Sequence, residues 1–234
     1  MRKNLIMHFV ILLLLSILII PPAWSGSGKH GKISVENRTW DFGFVPLDYK
    51  LIHIYKVKNE GEGDLHIQKI VPNCDCTNVI CSDTLIPPGS TVEIKIIFDT
   101  KNYYGQNNRE IVVHTDDPDN PTINLEYSSN IGLFPNLFRV EPHSLFFIKG
   151  RKAQTVKLSN ISDDDLEFSL ELEPDSFFSI DKAGGTLNSK KDVTIEITPS
   201  ENLDKGTFHS SFRVRFDTKP EPVYITVPVK IVRY

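Results

Sequence analysis

All three cysteines of this 234-residue chain lie in one short segment, from Asn73 to Cys81. One residue separates Cys74 from Cys76, and Cys81 follows further along the same segment. Thiols this close together can form a disulfide, exchange electrons with another thiol, or bind a soft metal such as Cu(I) or Zn(II). This segment is therefore the part of the sequence best suited to chemistry.

An odd number of cysteines allows at most one disulfide within the chain. On an extended strand the Cα atoms of Cys74 and Cys76 would lie about 6.5–7 Å apart, at the outer limit for a disulfide. A bond from Cys81 to either of them across a turn is easier geometrically. We therefore predict a hairpin disulfide that includes Cys81 and stabilises the fold by about 2–3 kcal/mol.

A metal site is the alternative use of these thiols. Cys74 and Cys76 would supply two ligands, and His53, His66 or His114 another if the fold brings one of them close. None of these histidines stands at a diagnostic spacing from the cysteines. The sequence therefore favours a structural disulfide over a metal site, and we predict no cofactor.

No catalytic arrangement is found in the sequence. It contains no Gly-x-Ser-x-Gly nucleophile motif and no glycine-rich phosphate loop that follows a strand. Acids, bases and nucleophiles are not grouped at informative spacings. The sequence therefore predicts a protein that is not an enzyme.

The elements that carry the cysteine segment are predicted to be β-strands. Period-two alternation dominates, for example in Lys50 to Lys58 and in Val92 to Phe98, and no window supports an amphipathic helix. Runs of Gly, Pro, Asn and Asp separate these stretches and favour tight turns. His53 alternates with apolar residues, which is more typical of a half-buried strand residue with one hydrogen bond than of a ligand or a base. The pattern predicts an all-β, immunoglobulin-like β-sandwich fold.

The second half of the chain repeats the first at a constant offset of 101 residues (160 − 59 for Asn59 and Asn160). Such a repeat predicts two tandem β-sandwiches, residues 32–131 and 137–234, joined by a short connector. The three cysteines fall opposite other residue types, so only the first copy carries thiols. The aligned pairs include Val92 with Val193, Ile94 with Ile195, Gly105 with Gly206, Val113 with Val214, Asp116 with Asp217 and Pro121 with Pro222.

Two strands are predicted to lie at sheet edges, Ile123 to Ser128 and Val223 to Val229. An exposed edge offers unpaired backbone groups, so either strand could accept an extended segment of a partner.

The amino terminus predicts export. Arg2 and Lys3 precede an apolar run from Leu5 to Ile20, and small residues at Ala23 and Ser25 suit a signal peptidase. The run is shorter than the roughly 20 residues that span a bilayer. We predict that residues 1–25 are a signal peptide cleaved near Ser25 and that the protein is secreted or periplasmic; an amino-terminal anchor facing the periplasm is the alternative.

The charge of the chain limits its partners. The formal net charge is −4, and loss of Arg2 and Lys3 with the signal peptide gives −4 − 2 = −6. A mildly acidic surface without a basic cluster argues against nucleic acid and against an anionic membrane surface. We expect the partner to be another protein of the envelope or the extracellular space.

Several short strings follow one another across residues 35–131: Trp40-Asp41-Phe42-Gly43, Asn59-Glu60-Gly61, Cys74-Asp75-Cys76-Thr77, Ile86-Pro87-Pro88-Gly89 and Phe98-Asp99-Thr100. Together they resemble the bacterial secreted family DUF1573, a domain of unknown function similar to immunoglobulin-like ASPM/Hydin modules, whose usual signature is Cys-Gly-Cys-Thr followed by a Pro-Gly turn. Here Asp75 stands where glycine is usual, and Cys81 is additional. The resemblance implies a β-sandwich in the cell envelope or outside it, and it implies no activity.

Two functional hypotheses follow. The first is a non-catalytic secreted or periplasmic protein that serves as a protein-binding or spacer module of the cell envelope. The second is a metal-binding or thiol-redox protein that uses the segment from Cys74 to Cys81.

Overall fold

The computed structural model describes residues 29–148, 152–174 and 176–234, and the predicted signal peptide lies outside the described residues. All regular elements in the described ranges are β-strands, which confirms the predicted all-β fold. No helix there has the length and hydropathy to span a bilayer. The strands are β1 Ile33–Val35, β2 Thr39–Val45, β3 Lys50–Asn59, β4 Leu65–Pro72, β5 Thr77–Cys81, β6 Leu85–Ile86, β7 Thr91–Asp99, β8 Gly105–Thr115, β9 Thr122–Ile131, β10 Phe138–Glu141, β11 Leu145–Ile148, β12 Gln154–Asn160, β13 Leu166–Leu172, β14 Phe178–Ile180, β15 Gly184–Leu187, β16 Asp192–Pro199, β17 Gly206–Phe216 and β18 Val223–Arg233.

These strands form two small sheets and one large sheet. The small sheets have the strand orders β1-β3-β7-β5 and β10-β12-β16-β14. The ten-stranded sheet runs β15-β13-β17-β18-β2-β9-β8-β4-β6, and β11 also pairs with β18. The strands β15-β13-β17-β18 of the large sheet cover the small sheet β10-β12-β16-β14, and the strands β2-β9-β8-β4-β6 cover the small sheet β1-β3-β7-β5. The chain therefore has two β-sandwich modules that share one continuous sheet.

Each module has its own apolar core between its two layers. In β7 the side chains of Val92, Ile94, Ile96 and Phe98 are all buried and alternate with more exposed ones. The core of the first module draws on residues from Ile33 to Ile131, and that of the second on residues from Phe138 to Ile231. The period-two pattern therefore marks which face of each strand is buried.

The 101-residue repeat has a structural counterpart in two buried asparagines. The Asn59 amide donates to the carbonyl oxygens of Gly63, at 2.8 Å, and Ile86, at 2.7 Å. The Asn160 amide donates at the same offset to the carbonyl oxygens of Asp164, at 2.7 Å, and Leu187, at 2.9 Å. Each asparagine thus joins the end of a central strand to a turn and to the neighbouring layer.

The prediction that Ile123 to Ser128 and Val223 to Val229 lie at sheet edges is wrong. β9 lies between β2 and β8, and β18 lies between β17 on one side and β2 and β11 on the other. Turn residues in the sequence reveal the hairpins β8-β9 and β17-β18. They do not reveal that β2 and β11, which come much earlier in the chain, add in parallel to the open sides of these hairpins.

We expect Asn59→Ala to lower the free energy of unfolding by about 2–4 kcal/mol. The substitution removes the donor to the buried carbonyl of Ile86 and to the partly buried carbonyl of Gly63. It also removes the acceptor of the backbone N–H groups of Lys32 and Gly61. Urea unfolding measures the loss. Asn78→Ala, on the exposed face of β5, is the matched control and should stay within about 0.5 kcal/mol of the unmodified protein. Equal losses in the two variants would contradict this role.

Candidate functional site at the disulfide turn and the module junction

The cysteine segment is a turn between two layers, followed by a strand. β4 of the large sheet ends at Pro72, and β5 of the small sheet begins at Thr77. The turn brings the Cα atoms of Cys74 and Cys76 to 5.2 Å, and these two residues form a disulfide, while Cys81 is free.

The predicted hairpin disulfide that includes Cys81 is therefore wrong. The prediction used the Cα spacing of an extended strand, which does not apply within a turn. β5 is extended, and at about 3.3 Å per residue it carries Cys81 roughly 16 Å along the chain from Cys76. The bond between Cys74 and Cys76 closes a much smaller loop than the predicted one, so the chain-entropy relation gives it only about 1.6 kcal/mol of stabilisation.

The two sulfurs differ in exposure and share one hydroxyl. Cys76 is only 9% exposed, whereas Cys74 is partly exposed at the surface of the turn. Thr77 Oγ1 lies 3.3 Å from Cys74 Sγ and 3.7 Å from Cys76 Sγ, and it is also hydrogen-bonded to the hydroxyl of Tyr127. Disulfide sulfurs carry no hydrogen, so Thr77 must be the donor to them and the Tyr127 hydroxyl the donor to Thr77.

Burial raises the pKa of Tyr127, and this effect outweighs the opposing influence of the Thr77 hydrogen bond and of Arg109. The phenol therefore stays protonated and keeps its hydrogen for Thr77. A cleft of about 300 Å³ opens beside the turn, and Asn73, Arg109, Glu110 and Tyr127 are among the residues that line it. The disulfide turn thus borders a recess large enough for a few side chains of a partner.

The structure does not bring the predicted metal ligands together. Cys74 and Cys76 are bonded to each other. His66 lies exposed on β4, His114 on β8 is within 3.3 Å of the Thr122 hydroxyl, and His53 lies at the junction with the second module. Within the described residues, no group of three or more His, Cys, Asp or Glu side chains is suited to a metal ion.

The free thiol of Cys81 is partly buried on β5. Its Sγ donates to the carbonyl oxygen of Asp83 at 2.9 Å. Burial raises the pKa of this thiol, against the opposing effect of the backbone contact to Asp83. Cys81 is therefore a weak nucleophile at neutral pH.

We expect iodoacetamide to modify the native, oxidised protein only at Cys81. Because the pKa of Cys81 is raised, the reaction should be slow at pH 7 and should accelerate as the pH rises above about 8.5, the ordinary thiol pKa. Non-reducing peptide mapping should recover Cys74 and Cys76 as a linked pair. A Cys81-containing disulfide, or a Cys81 that reacts at its full rate at pH 7, would contradict this assignment.

The modules meet along β2, which serves both cores. Phe42 is packed in the core of the first module, and Phe44 packs against the core of the second. In a regular strand these two side chains would point to the same face. A bulge between Asp41 and Phe44, with Gly43 at φ +65°, breaks the alternation and lets β2 pair with both β9 and β18.

The position of Gly43 leaves no room for a side chain. A Cβ there would lie 2.0 Å from the carbonyl oxygen of Tyr224 on β18. Next to it, the hydroxyl of Thr226 donates to the carbonyl oxygen of Phe42 at 2.6 Å. The backbones of β2 and β18 are therefore in direct contact.

A buried arginine closes the junction. The Arg213 guanidinium on β17 lies between two rings, 3.5 Å from the centroid of Trp40 and 4.1 Å from that of Tyr224. Its Nε donates to Glu171 at 2.8 Å, and its Nη1 donates to the carbonyl oxygen of Asp41 in the first module. A buried guanidinium is tolerated here because its charge is paired with Glu171 and each of its three nitrogens donates a hydrogen bond.

His53 and Glu173 form a second link across the junction. Both are buried, and His53 Nδ1 lies 2.8 Å from Glu173 Oε1. The other carboxylate oxygen accepts from the backbone N–H of Ile54 at 3.3 Å. The His53 ring stacks on Trp40 at 3.9 Å. His53 lies on a strand and makes one side-chain hydrogen bond, as predicted, but it is buried rather than half-buried and its partner comes from the other module.

The sequence does contain a signal for this junction. Ile52 and Ile54 are apolar on the face of β3 opposite Leu51 and Tyr55, and all four side chains are buried. A strand that is apolar on both faces is covered on both faces, so the second layer of packing could have been inferred from it.

On another side of the junction is a wider cleft of about 810 Å³, which we call the junction cleft. It includes the exposed apolar side chains of Leu47, 46% exposed, and Phe146, 48% exposed. Burial lowers the pKa of His209 in this cleft, and Lys230 and Lys50 lower it further. The wall thus combines apolar surface with three lysines and two aspartates.

We expect Gly43→Ala to destabilise the protein more than Gly89→Ala. Both glycines have positive φ, +65° and +75°, so both variants carry a backbone cost of about 1–2 kcal/mol. Nothing lies within 4 Å of a Cβ at Gly89, whereas at Gly43 the β18 backbone must move, which costs about 2 kcal/mol more. Urea unfolding compares the two, and hydrogen exchange at Thr226 should rise only in Gly43→Ala. If Gly43→Ala and Gly89→Ala lower the free energy of unfolding equally, the close contact between Gly43 and β18 does not contribute to stability.

Comparison with known families gives one match. Residues 33–131 match the model of DUF1573, a family described as proteins of unknown function. The predicted resemblance to DUF1573 is confirmed over this range. None of the curated proteins matches the chain.

Several solved structures have similar folds. One is the CsuC-CsuE chaperone-tip adhesion subunit complex of Acinetobacter baumannii pili, at 15% identity and TM-score 0.36, covering 41% of this chain and 56% of the matched chain. Another is the PapD-like domain of human CEP192, at 12% identity and TM-score 0.35, covering 44% and 91%. A Porphyromonas gingivalis protein of unknown function matches at 12% identity and TM-score 0.33, covering 85% and 99%. At this level of similarity, what is shared is the fold alone.

Proposed function

We propose that the chain is a non-catalytic, exported β-sandwich protein that serves as a rigid binding or spacer protein of the cell envelope. The observation that carries this proposal is the ten-stranded sheet that runs through both modules. A spacer needs a stiff connection between its parts. The shared sheet, the buried Arg213 and the His53–Glu173 pair supply such a connection.

Export is part of the proposal and rests on the sequence of residues 1–25. The absence of catalysis is part of it as well. The buried Arg213 and Glu173 of the junction are engaged with the partly exposed Glu171, with His53 or with backbone groups across the modules. We also propose that Cys74-Asp75-Cys76-Thr77 corresponds to the Cys-x-Cys-Thr signature of the family, and that the first module is similar to ASPM/Hydin modules.

We assign partner binding to the junction cleft. Exposed apolar side chains such as Leu47 and Phe146 favour association when a partner covers them. Three lysines, Lys50, Lys101 and Lys230, line the cleft together with two aspartates. The partner that fits is therefore a protein segment that carries apolar residues and an excess of acidic ones.

Retention of envelope proteins on the immobilised full exported chain tests this proposal. We expect a protein that is retained by the unmodified chain and reduced about tenfold by the double variant Leu47→Ser, Phe146→Ser, since apolar residues at the centre of an interface dominate affinity. Retention should also weaken as salt is raised, because the lysines contribute. Ile80→Ser is the matched control, as Ile80 is 49% exposed and lies on β5, away from the cleft.

Equal retention by the double variant and the unmodified chain would refute the assignment of the cleft. Failure to retain any protein from envelope extracts, with chemical cross-linking and across a range of salt concentrations, would refute the binding role itself.

A further inference from the structure

We propose that the Cys74–Cys76 disulfide is exchangeable, and that it accepts two electrons from the dithiol of a partner protein. This activity goes beyond the binding or spacer role, and it uses a different part of the molecule. It rests on the size of the closed loop, the unequal exposure of the two sulfurs and the hydroxyl groups that face them.

The turn is held in place without the disulfide. The backbone N–H of Asp99 donates to the carbonyl oxygen of Cys76 at 2.9 Å, and the backbone N–H of Asn73 donates to that of Glu110 at 3.1 Å. β5 then pairs along β7. A bond that encloses only Asp75 adds little further restriction to the unfolded chain. Its contribution to stability is therefore small, and a chemical role is the better account of its position.

The exposure of the sulfurs decides which of them is attacked. A thiolate must reach one sulfur of the disulfide from outside the protein. Cys74 is partly exposed, whereas Cys76 is 9% exposed and packed in the core of the first module. Attack therefore occurs at Cys74 Sγ, and Cys76 is the leaving thiolate.

Thr77 and Tyr127 are placed to stabilise that leaving thiolate. The Thr77 hydroxyl is within hydrogen-bonding distance of both sulfurs, and the Tyr127 hydroxyl is hydrogen-bonded to it. When negative charge develops on Cys76, this chain of two hydroxyls donates a hydrogen bond toward it, and hydrogen bonds to a charged acceptor are the stronger kind. Thr77 and Tyr127 are positioning residues in this scheme.

The exchange balances in two steps. A partner thiolate attacks Cys74 Sγ, the Cys74–Cys76 bond breaks, a mixed disulfide forms between the partner and Cys74, and Cys76 leaves as a thiolate. The second partner thiolate then attacks the partner sulfur of the mixed disulfide, and Cys74 leaves as a thiolate. The partner dithiol loses two electrons and two protons and becomes a disulfide. Cys74 and Cys76 gain these two electrons and two protons and become a dithiol.

Two neighbouring residues have defined places in this scheme. Cys81 is roughly 16 Å along the chain from Cys76 and is not the second thiol of the reaction. Asp75 is exposed between the two cysteines, and its negative charge opposes the approach of a thiolate.

The cleft beside the turn, which is lined by Asn73 and Tyr127 among others, gives the partner residues next to the attacking thiol a place to bind.

The test follows reduction of the folded, full exported chain, with alkylation and peptide mapping of samples quenched over time. Glutathione serves as the probe that marks the attacked sulfur, and dithiothreitol as the dithiol. We expect glutathione on Cys74 and an alkylated Cys76. We also expect dithiothreitol to reduce the bond under native conditions at a rate close to that measured in urea.

Variants then test the two hydroxyls. Thr77→Val should slow reduction by dithiothreitol about tenfold, the effect of one hydrogen bond to a charged group. Thr77→Ser and Cys81→Ser should stay within about twofold of the unmodified chain, and Asp75→Asn should be faster. Urea unfolding of each oxidised variant separates an effect on exchange from an effect on folding.

Three results would overturn the proposal: a disulfide that resists dithiothreitol until urea unfolds the chain, glutathione attached to Cys76, or a folded Thr77→Val variant that is reduced at the unmodified rate. If Thr77→Val does not fold, the first two measurements on the unmodified chain still decide the matter. A failed search for a partner at the junction cleft has no bearing on any of these results.

Discussion

The junction of the two modules depends on the buried guanidinium of Arg213. The guanidinium of Arg213 lies between the rings of Trp40 and Tyr224, with Glu171 and the Asp41 carbonyl accepting its hydrogen bonds. A buried charge that loses its partners costs about 3–5 kcal/mol. The relative position of the modules is therefore fixed by the need to keep those partners in place, and the junction cleft, which is lined by residues of both modules, keeps its shape for the same reason.

The string Trp40-Asp41-Phe42-Gly43 gains a physical meaning from this arrangement. Trp40 supplies a ring for Arg213, Asp41 supplies a carbonyl, and Gly43 allows the backbone of β18 to approach. The side chain of Asp41 also accepts from the backbone of Gly43 at 2.9 Å, which supports the bulge. One of the strings that led to the family resemblance thus lies where the first module contacts the second.

Much of the fold could be predicted from the sequence, because period-two alternation and turn residues are local signals. The repeat was equally accessible: Asn59 and Asn160 stand at the constant offset and make equivalent hydrogen bonds. The parallel additions of β2 and β11 were missed, since nothing local in a strand specifies a partner that is distant in sequence. For the same reason the hydrogen bond between His53 and Glu173 could not be predicted from the sequence.

The cysteine segment shows a different limit. The predicted disulfide failed because a Cα spacing was taken from an extended strand, whereas residues 73–76 form a turn. Whether a Cys-x-Cys pair lies in a turn or a strand depends here on the passage from one layer of the sandwich to the other, which is a property of the whole module. The exposure difference between Cys74 and Cys76, and their contact with Thr77, follow from that passage.

The sharing of β2 has a consequence for how the protein is divided. Phe42 and Phe44 stand two residues apart on one strand and pack into different cores. Cutting the chain between the modules therefore cannot leave each module with a complete core. A chain shortened to residues 33–131 would leave Phe44 with nothing to cover it, and the remaining half would have a gap where that ring belongs. The unit that folds as a whole is therefore the pair, even though the family model spans only its first member.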